Sequence, residues 1–151
     1  MPGLISEELR SQIGLSPEPR TELVTRRDIR KYSVATGQRL RRYLEGDEAP
    51  PLFHLALFWD VVEQDMLSPD GVALDSWLPE FPLKRAMAGK LKLEYHQAIL
   101  PGQTLTARRT LCDMFEKQGS SGPLIFYEVS TDVYDESDSI VLAEHATRIL
   151  R

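Results

Sequence analysis

The fold is decided by one stretch in the middle of the chain, Leu52-Phe-His-Leu-Ala-Leu-Phe-Trp-Asp-Val-Val-Glu-Gln-Asp-Met66. Pro50-Pro51 precedes it, and proline is favoured in the first turn of a helix. The first two turns are apolar on nearly every side, and the later polar residues cluster on one face. Because a helix that is apolar all round must be enclosed by other elements, the stretch predicts a helix that the rest of the chain covers.

The second half of the chain predicts an antiparallel meander of strands. From Gly89 to His96, the apolar residues Leu91, Leu93 and Tyr95 alternate with polar ones, which predicts a strand with one buried face. Three more strands are predicted: Thr104 to Phe115; one with Ile125, Tyr127, Val129, Thr131 and Val133 on a face; and one with Val141, Ala143, Thr147 and Ile149 on a face. A twisted antiparallel sheet around a central helix is the hot-dog arrangement, an α+β fold. A helix packed on one side of an open sheet is the alternative that periodicity leaves open.

The first fifty residues predict one further helix. Thr25-Arg-Arg-Asp28 resembles a capping box, the apolar residues after it follow helical spacing, and Gly37 is a natural stop. Residues 1–24 carry Pro17 and Pro19, which argues against a long helix there, and 38–50 predicts a polar loop. The segment 68–84 contains three prolines, and a loop of this length in a small domain is typically functional or a lid.

Composition narrows the function classes. The 151 residues predict a single domain, 1–151, with a net charge of −5. The richest basic stretch, Arg39-Leu-Arg-Arg42, is short and followed by acidic residues, so no nucleic-acid partner is expected. Cys112 is the only cysteine, which indicates a packed thiol in a reducing compartment. No signal peptide is recognised, and the longest apolar run is too short to span a bilayer, so a cytoplasmic location is expected.

Several stretches, taken in order, carry a family resemblance. They are Asp28-Ile-Arg-Lys-Tyr-Ser-Val-Ala-Thr-Gly37, Pro50-Pro-Leu-Phe-His54, Pro69-Asp-Gly71, Leu78-Pro-Glu-Phe-Pro-Leu83, Gly89-Lys-Leu-Lys-Leu-Glu-Tyr-His96, Leu100-Pro-Gly102, Glu116-Lys-Gln-Gly-Ser-Ser-Gly122 and Ala143-Glu-His-Ala-Thr-Arg148. Together they resemble the N-terminal, FAS1-like half of the MaoC-like acyl-thioester dehydratases. The likeness extends to the two-hot-dog mesaconyl- and methylfumaryl-CoA hydratases and to the type 2 3-hydroxyacyl-thioester dehydratases.

The resemblance implies reversible addition of water to an enoyl thioester, with CoA or an acyl carrier holding the substrate and no cofactor. Catalytic members of the family carry Asp and His in a D-x-N-P-x-H segment. Here Gln38 stands at the Asp position and Tyr43 at the His position. An amide does not titrate, and a phenol is a poor base at neutral pH. No catalytic residue is therefore expected in this chain. The Asp/His pair is expected on a MaoC-like partner subunit within a homo- or hetero-oligomer.

The remaining candidates belong to substrate binding. Tyr32, Phe53, His54, Leu57, Phe58, Trp59 and His96 are predicted to line the acyl tunnel or contact the substrate. For each histidine a structural interpretation is the simpler one: His54 buried, His96 exposed at a strand end, and His145 packed on the core face of the last strand. The three are too far apart in sequence for a metal-ligand spacing, so no metal is expected. Lys84, Arg85 and Lys90 suit either a solvated rim or CoA phosphates.

Two other functions stay open from the sequence. A homodimeric hot-dog thioesterase needs a carboxylate beside the central helix, and Asp60 and Glu63, one helical turn apart, are its candidates. An acyl-binding or assembly module without chemistry is the other, because fold alone does not define function.

Overall fold

A five-stranded antiparallel sheet forms the main layer of the structure, a computed structural model that describes residues 3–69, 71–73 and 75–151. The elements are α1 (Glu7–Arg10), β1 (Arg20–Leu23), α2 (Arg26–Ala35), α3 (Arg41–Leu44), α4 (Phe53–Leu57), a 3₁₀ turn (Gln64–Met66), β2 (Ala86–Tyr95), β3 (Thr104–Gly119), β4 (Gly122–Tyr134) and β5 (Ile140–Leu150). Asp70, within the Pro69–Gly71 stretch, lies outside the described residues. Within these ranges, no helix has the length and apolar content needed to cross a bilayer.

The strands lie in the order β1-β3-β4-β5-β2, and every pairing is antiparallel. The predicted meander is correct for β3, β4 and β5. It is wrong for β2, which pairs with β5 at one edge of the sheet. The prediction also missed β1 at the other edge. With four residues, β1 is too short to show an alternating pattern.

Helix α2 forms as the capping pattern predicts. The Thr25 hydroxyl accepts a hydrogen bond from the Asp28 backbone N–H, and the helix ends before Gly37, whose φ is 71°. Its buried face carries Ile29, which packs against the sheet at one end of the inner face. The loop predicted over 38–50 is wrong in part, because it contains the one-turn helix α3.

The prediction of a long central helix is wrong. Only α4, Phe53–Leu57, is helical, and the chain then runs on without regular structure to the 3₁₀ turn. The carbonyls of Phe58 and Trp59 accept hydrogen bonds from the Arg20 guanidinium, which also pairs with Asp60. These contacts tie the backbone to β1 and use carbonyls that a longer helix would need. Trp59 is 58% exposed and Val61 is 95% exposed, so the apolar stretch is not enclosed.

The core divides into two apolar clusters on the inner face of the sheet. The first joins α2 and α4 to the sheet and contains Val24, Ile29, Ala49, Phe53, Ile99, Leu105, Ala107, Val133, Val141 and Leu142. The second joins α1 and the proline-rich segment to the other end of the sheet and contains Ile5, Leu9, Phe81, Leu111, Met114, Ile125, Tyr127 and Leu150. Because α4 is short, no single apolar helix connects the two clusters.

The faces of β4 are correct, and those of β5 are reversed except at Val141, which is buried in the first cluster. Ile125, Tyr127 and Val133 of β4 face the core as predicted. In β5 the core face instead carries Leu142, Glu144 and Ala146. His145 therefore lies on the outer face, where it is half-buried and pairs with Glu128 at 3.0 Å. The alternating pattern of β5 gave the wrong face because its acidic residue, Glu144, is buried.

Strand β2 runs along an edge and is exposed over nearly its whole length. Leu91 and Tyr95 are paired with core-face residues of β5, so their faces are as predicted. They are nevertheless exposed, at 39% and 46%, because no helix continues beyond Leu57 to cover them. The predicted buried face of this strand is therefore uncovered in the isolated chain.

Truncating a side chain at the centre of the first cluster is expected to lower the free energy of unfolding strongly. Leu105→Ala removes a fully buried side chain of β3 and is expected to lower the free energy of unfolding by about 2–5 kcal/mol. Leu23→Ala, on the paired strand β1, removes an exposed leucine and is expected to change it by less than about 0.5 kcal/mol. Urea denaturation of both variants measures the difference. Equal effects would contradict the assignment of this cluster as core.

Candidate functional site

An open pocket of about 330 Å³ lies beside α3 and α4, at the end of β2. Its walls mix aromatic rings with a few polar side chains. It is lined by Tyr43, Glu48, Ala49, Pro50, Pro51, Phe53, His54, Tyr95, His96, Gln97, Ala98 and Ile99. Its volume falls at the lower end of the range of small-molecule pockets.

His54 and Glu144 form a buried pair at the pocket. The His54 Nε2 and the Glu144 Oε2 are 2.5 Å apart, and both side chains are less than a tenth exposed. The residues lie ninety positions apart in sequence, on α4 and β5, so the pair fastens the helix to the middle of the sheet. The other ring nitrogen, Nδ1, is buried with no hydrogen-bond partner in the described part of the chain. The pair is polar, oriented and shielded from water.

Tyr43, which the sequence resemblance aligns with the family histidine, lines the pocket. Its ring is buried, its hydroxyl accepts a hydrogen bond of 3.1 Å from Arg42, and the Arg42 guanidinium lies 4.6 Å from the ring centre. Arg42 in turn pairs with Glu48 at 3.1 Å. Gln38 does not line the pocket. Of the two positions that the resemblance aligns with the family Asp and His, one thus holds a phenol engaged by Arg42 and the other lies outside the pocket lining.

A strained residue at the start of α4 is held by a tyrosine of the pocket wall. Leu52 has a φ of 69°, which is uncommon for a residue with a branched side chain. Its backbone N–H donates a hydrogen bond of 3.0 Å to the Tyr95 hydroxyl. Burial, and secondarily the charge of Tyr95, raises the pKa of Tyr32 above its usual value. The start of α4 is therefore held in an unfavourable backbone conformation by β2.

The structure brings together some of the predicted substrate residues and separates others. Phe53, His54 and His96 line the pocket. Tyr32, Leu57 and Phe58 pack against the first cluster behind it, with Tyr32 and Phe53 edge to face at 5.6 Å. Trp59 lies outside on the surface. Sequence reading missed Glu144 and Tyr95, because only the pairing of β2 with β5 and the packing of α4 place them here.

A polar row crosses the inner face between the two clusters. Arg109, Thr131 and Glu144 are cross-strand neighbours in β3, β4 and β5. Asp75, from the proline-rich segment, approaches Arg109 at 3.4 Å, and the Arg109 guanidinium lies over Trp77. Burial raises the pKa of Asp75 above its usual value, although Arg109 opposes that shift. The proline-rich segment therefore covers the sheet and is anchored to it by charge.

Other predicted chemical groups do not form a site. Asp60 and Glu63 are not on a helix, and Asp60 is occupied by Arg20, so the carboxylate pair suggested for a thioesterase is not assembled. Cys112 is half-buried, not in the core, at a bulge of β3. Lys84 pairs with Glu80 at 2.9 Å on the surface. Among the residues that the structure describes, no three His, Cys, Asp or Glu side chains are grouped as metal ligands would be.

The antiparallel sheet with helices packed on its inner face is the arrangement of a hot-dog domain, and comparison with known proteins identifies its family. Residues 11–144 match the model of the FAS1-like dehydratase domain region. The chain therefore belongs to this family, a branch of the MaoC-like hot-dog dehydratases.

The relatives include hydratases and dehydratases. Mesaconyl-C(4)-CoA hydratase of Chloroflexus aurantiacus is 30% identical over 86 residues, which cover 56% of this chain and 31% of that protein. The chain thus matches about a third of the length of that curated relative. A chain of the ChsH1-ChsH2 complex from Mycobacterium tuberculosis superposes with a TM-score of 0.69 at 18% identity, over 95% of this chain and 86% of that one. A chain of the HadBC (3R-hydroxyacyl-ACP dehydratase) complex from the same organism gives 0.59 at 14%, over 91% and 96%.

Two matched substitutions, one in the buried pair and one in a part-exposed pair, are expected to lower the free energy of unfolding by different amounts. Glu144→Ala leaves His54 buried without a partner and is expected to lower the free energy of unfolding by about 1–3 kcal/mol. Glu128→Ala removes the partner of His145 in a part-exposed pair on the outer face of the same sheet, with an expected cost below about 1 kcal/mol. Thermal and urea unfolding measure both. A Glu144→Ala protein as stable as Glu128→Ala would show that the buried pair contributes nothing to the fold.

Proposed function

We propose that this chain is the acyl-binding half of an enoyl-thioester hydratase/dehydratase, and that the catalytic Asp/His pair is supplied by a partner hot-dog subunit. The observation that carries the proposal is the state of the pocket. Tyr43, which the resemblance aligns with the family histidine, lines the pocket, whereas Gln38, aligned with the family aspartate, is not among the lining residues. Water addition needs a base of suitable pKa near the substrate, which neither an amide nor a fixed phenol supplies.

The edge of the sheet supports a partner. Strand β2 is ten residues long and exposed on both faces, and a long apolar edge is one that proteins normally cover. Leu91 and Tyr95 on its inner face are exposed apolar side chains along this edge. Two of the structural relatives are two-subunit complexes, ChsH1-ChsH2 and HadBC. A partner strand added along β2 would complete the sheet and enclose these side chains.

The substrate of this half is an acyl thioester carried by CoA or by an acyl carrier. The pocket accommodates a short acyl group between the rings of Phe53, Tyr43 and Tyr95, with His54 and His96 at its walls. The reaction adds or removes water without transfer of electrons, so the proposed activity uses no cofactor. The neighbouring hydratases and dehydratases motivate the reaction type, and the pocket motivates the binding role.

Enoyl-CoA hydration tests the division of roles. The purified chain alone is expected to be inactive, and a mixture with a MaoC-like subunit that carries D-x-N-P-x-H is expected to be active, as loss of the conjugated thioester absorbance. The control is a partner whose motif Asp is changed to Asn, which is expected to abolish the activity of the mixture. Equal activity of the chain with and without a partner would contradict the proposal.

The edge strand gives a separate prediction. Leu91→Glu places a charge on the inner face of β2 and is expected to weaken association with the partner at least tenfold, because a buried unpaired charge is costly. Val34→Glu, an equally polar change at an exposed position of α2, is the matched control and is expected to bind normally. Sedimentation velocity of the mixtures measures both. Association that survives Leu91→Glu unchanged would exclude this edge as the interface.

A further inference from the structure

Strand β2 is the last strand on its side of the sheet, and in the described part of the chain it pairs with β5 alone. Just beyond it, the His96 N–H donates to the Val141 carbonyl of β5 at 2.8 Å. Residues of an antiparallel ladder alternate between backbone groups that face the neighbouring strand and groups that face away. By this alternation Leu91, Leu93 and Tyr95 direct their N–H and C=O groups away from β5. A second strand laid antiparallel along β2 therefore finds three residues to bond.

The side chains of β2 give the two faces of this edge different chemistry. On the inner face, Leu91 and Tyr95 are exposed, and Leu93 between them packs in part against the first cluster. On the outer face, Lys92 and Glu94 are both exposed and carry opposite charges two residues apart. A strand that suits this edge must therefore offer apolar side chains on one face and the opposite order of charges on the other.

The sequence of β2 itself meets this requirement. When two copies are paired antiparallel about a two-fold axis at Leu93, Lys92 of each copy lies opposite Glu94 of the other. On the inner face, Leu91 of each copy lies opposite Tyr95 of the other, and the two Leu93 side chains meet. Opposite charges and apolar pairs directly across two strands both stabilise a sheet. In this register the residues with outward-facing backbone groups also lie opposite one another, as hydrogen-bonded pairing requires.

The neighbouring registers are less favourable. Centring the axis on Lys92 or on Glu94 places that residue opposite its own counterpart, so that like charges meet. Centring it on Leu91 places Lys90 of each copy opposite Lys92 of the other. Centring it on Tyr95, the last residue of β2, leaves most of each strand without a strand beside it. Among these registers, the one that sets lysine against glutamate is therefore the one that the charges of the strand favour.

We propose that the edge of β2 binds a second copy of this chain in the register centred on Leu93, and that the two Lys92–Glu94 pairs select that register. The inference goes beyond the proposed function, in which the same edge receives the catalytic subunit. The two partners then compete for β2, and the self-paired dimer is the state of the chain when the catalytic subunit is absent. Pairing with a copy also covers an edge that an isolated chain leaves exposed.

A charge exchange between the two positions tests both the partner and the register. Sedimentation equilibrium of the purified wild-type chain is expected to show a dimer. Lys92→Glu sets carboxylates against carboxylates at both symmetry-related pairs, and Glu94→Lys sets ammonium groups against ammonium groups. Each variant alone is expected to dimerise about tenfold more weakly than the wild type, or worse. An equimolar mixture of the two variants restores opposite charges at both pairs and is expected to form a heterodimer of wild-type affinity.

The control for charge alone is Lys31→Glu, which makes the same substitution at an exposed position of α2 and is expected to dimerise as the wild type does. Recovery in the mixture also shows that the single variants are folded, because a misfolded chain would not associate again. The double variant Lys92→Glu/Glu94→Lys exchanges the charges within one chain and is expected to dimerise by itself.

The outcomes separate this inference from the proposed function. A wild-type chain that stays monomeric would overturn the self-pairing, and so would single variants that dimerise as tightly as the wild type. A wild-type dimer whose two single variants remain monomeric when mixed would overturn the register. If every association result is as expected but the chain stays inactive with the catalytic subunit, the proposed function fails and the self-pairing stands.

Discussion

The hydrogen bond between His54 and Glu144 joins helix α4 to the centre of the sheet, and the position of the pocket depends on this contact. A carboxylate in an apolar interior is tolerated only with a close partner. Glu144 therefore holds α4 in register over β5. The strained Leu52, fixed by the Tyr95 hydroxyl, sets the direction from which that helix begins. The pocket lies between these two attachments.

The shortness of α4 explains the other unusual features of the chain. A full central helix would cover the inner face from one end of the sheet to the other. Here Arg20 and Asp60 draw the chain toward β1 after one turn and a half, and the middle of the face is left to Arg109, Thr131 and Glu144. The apolar face of β2 is left open for the same reason. Under the proposed function, a second hot-dog subunit would cover the exposed strand and supply the acid–base pair.

The sequence predicts the elements whose signal is local. Thr25 caps α2, and the alternating residues of β3 and β4 form strands as expected. The sequence-based prediction fails where a contact with a residue distant in sequence determines the local structure. Nothing between Phe58 and Val62 indicates that Arg20 will bind two of its carbonyls, so the apolar run reads as a long helix. Glu144 is predicted on the outer face because its partner, His54, is ninety positions away and gives no local signal.

The same limit applies to the site. Phe53, His54 and His96 were identifiable as candidates because an aromatic or a histidine on an apolar run is conspicuous. Tyr95 and Glu144 were not, since each acquires its role through a contact made by the fold. A residue that is polar, buried and paired across the sheet is evidence of selection for position rather than for hydrophobicity, because an apolar residue of similar volume would stabilise the core at no desolvation cost. The proposed binding role gives a reason for a polar pair at this position, because the pair orients a side chain of the pocket wall.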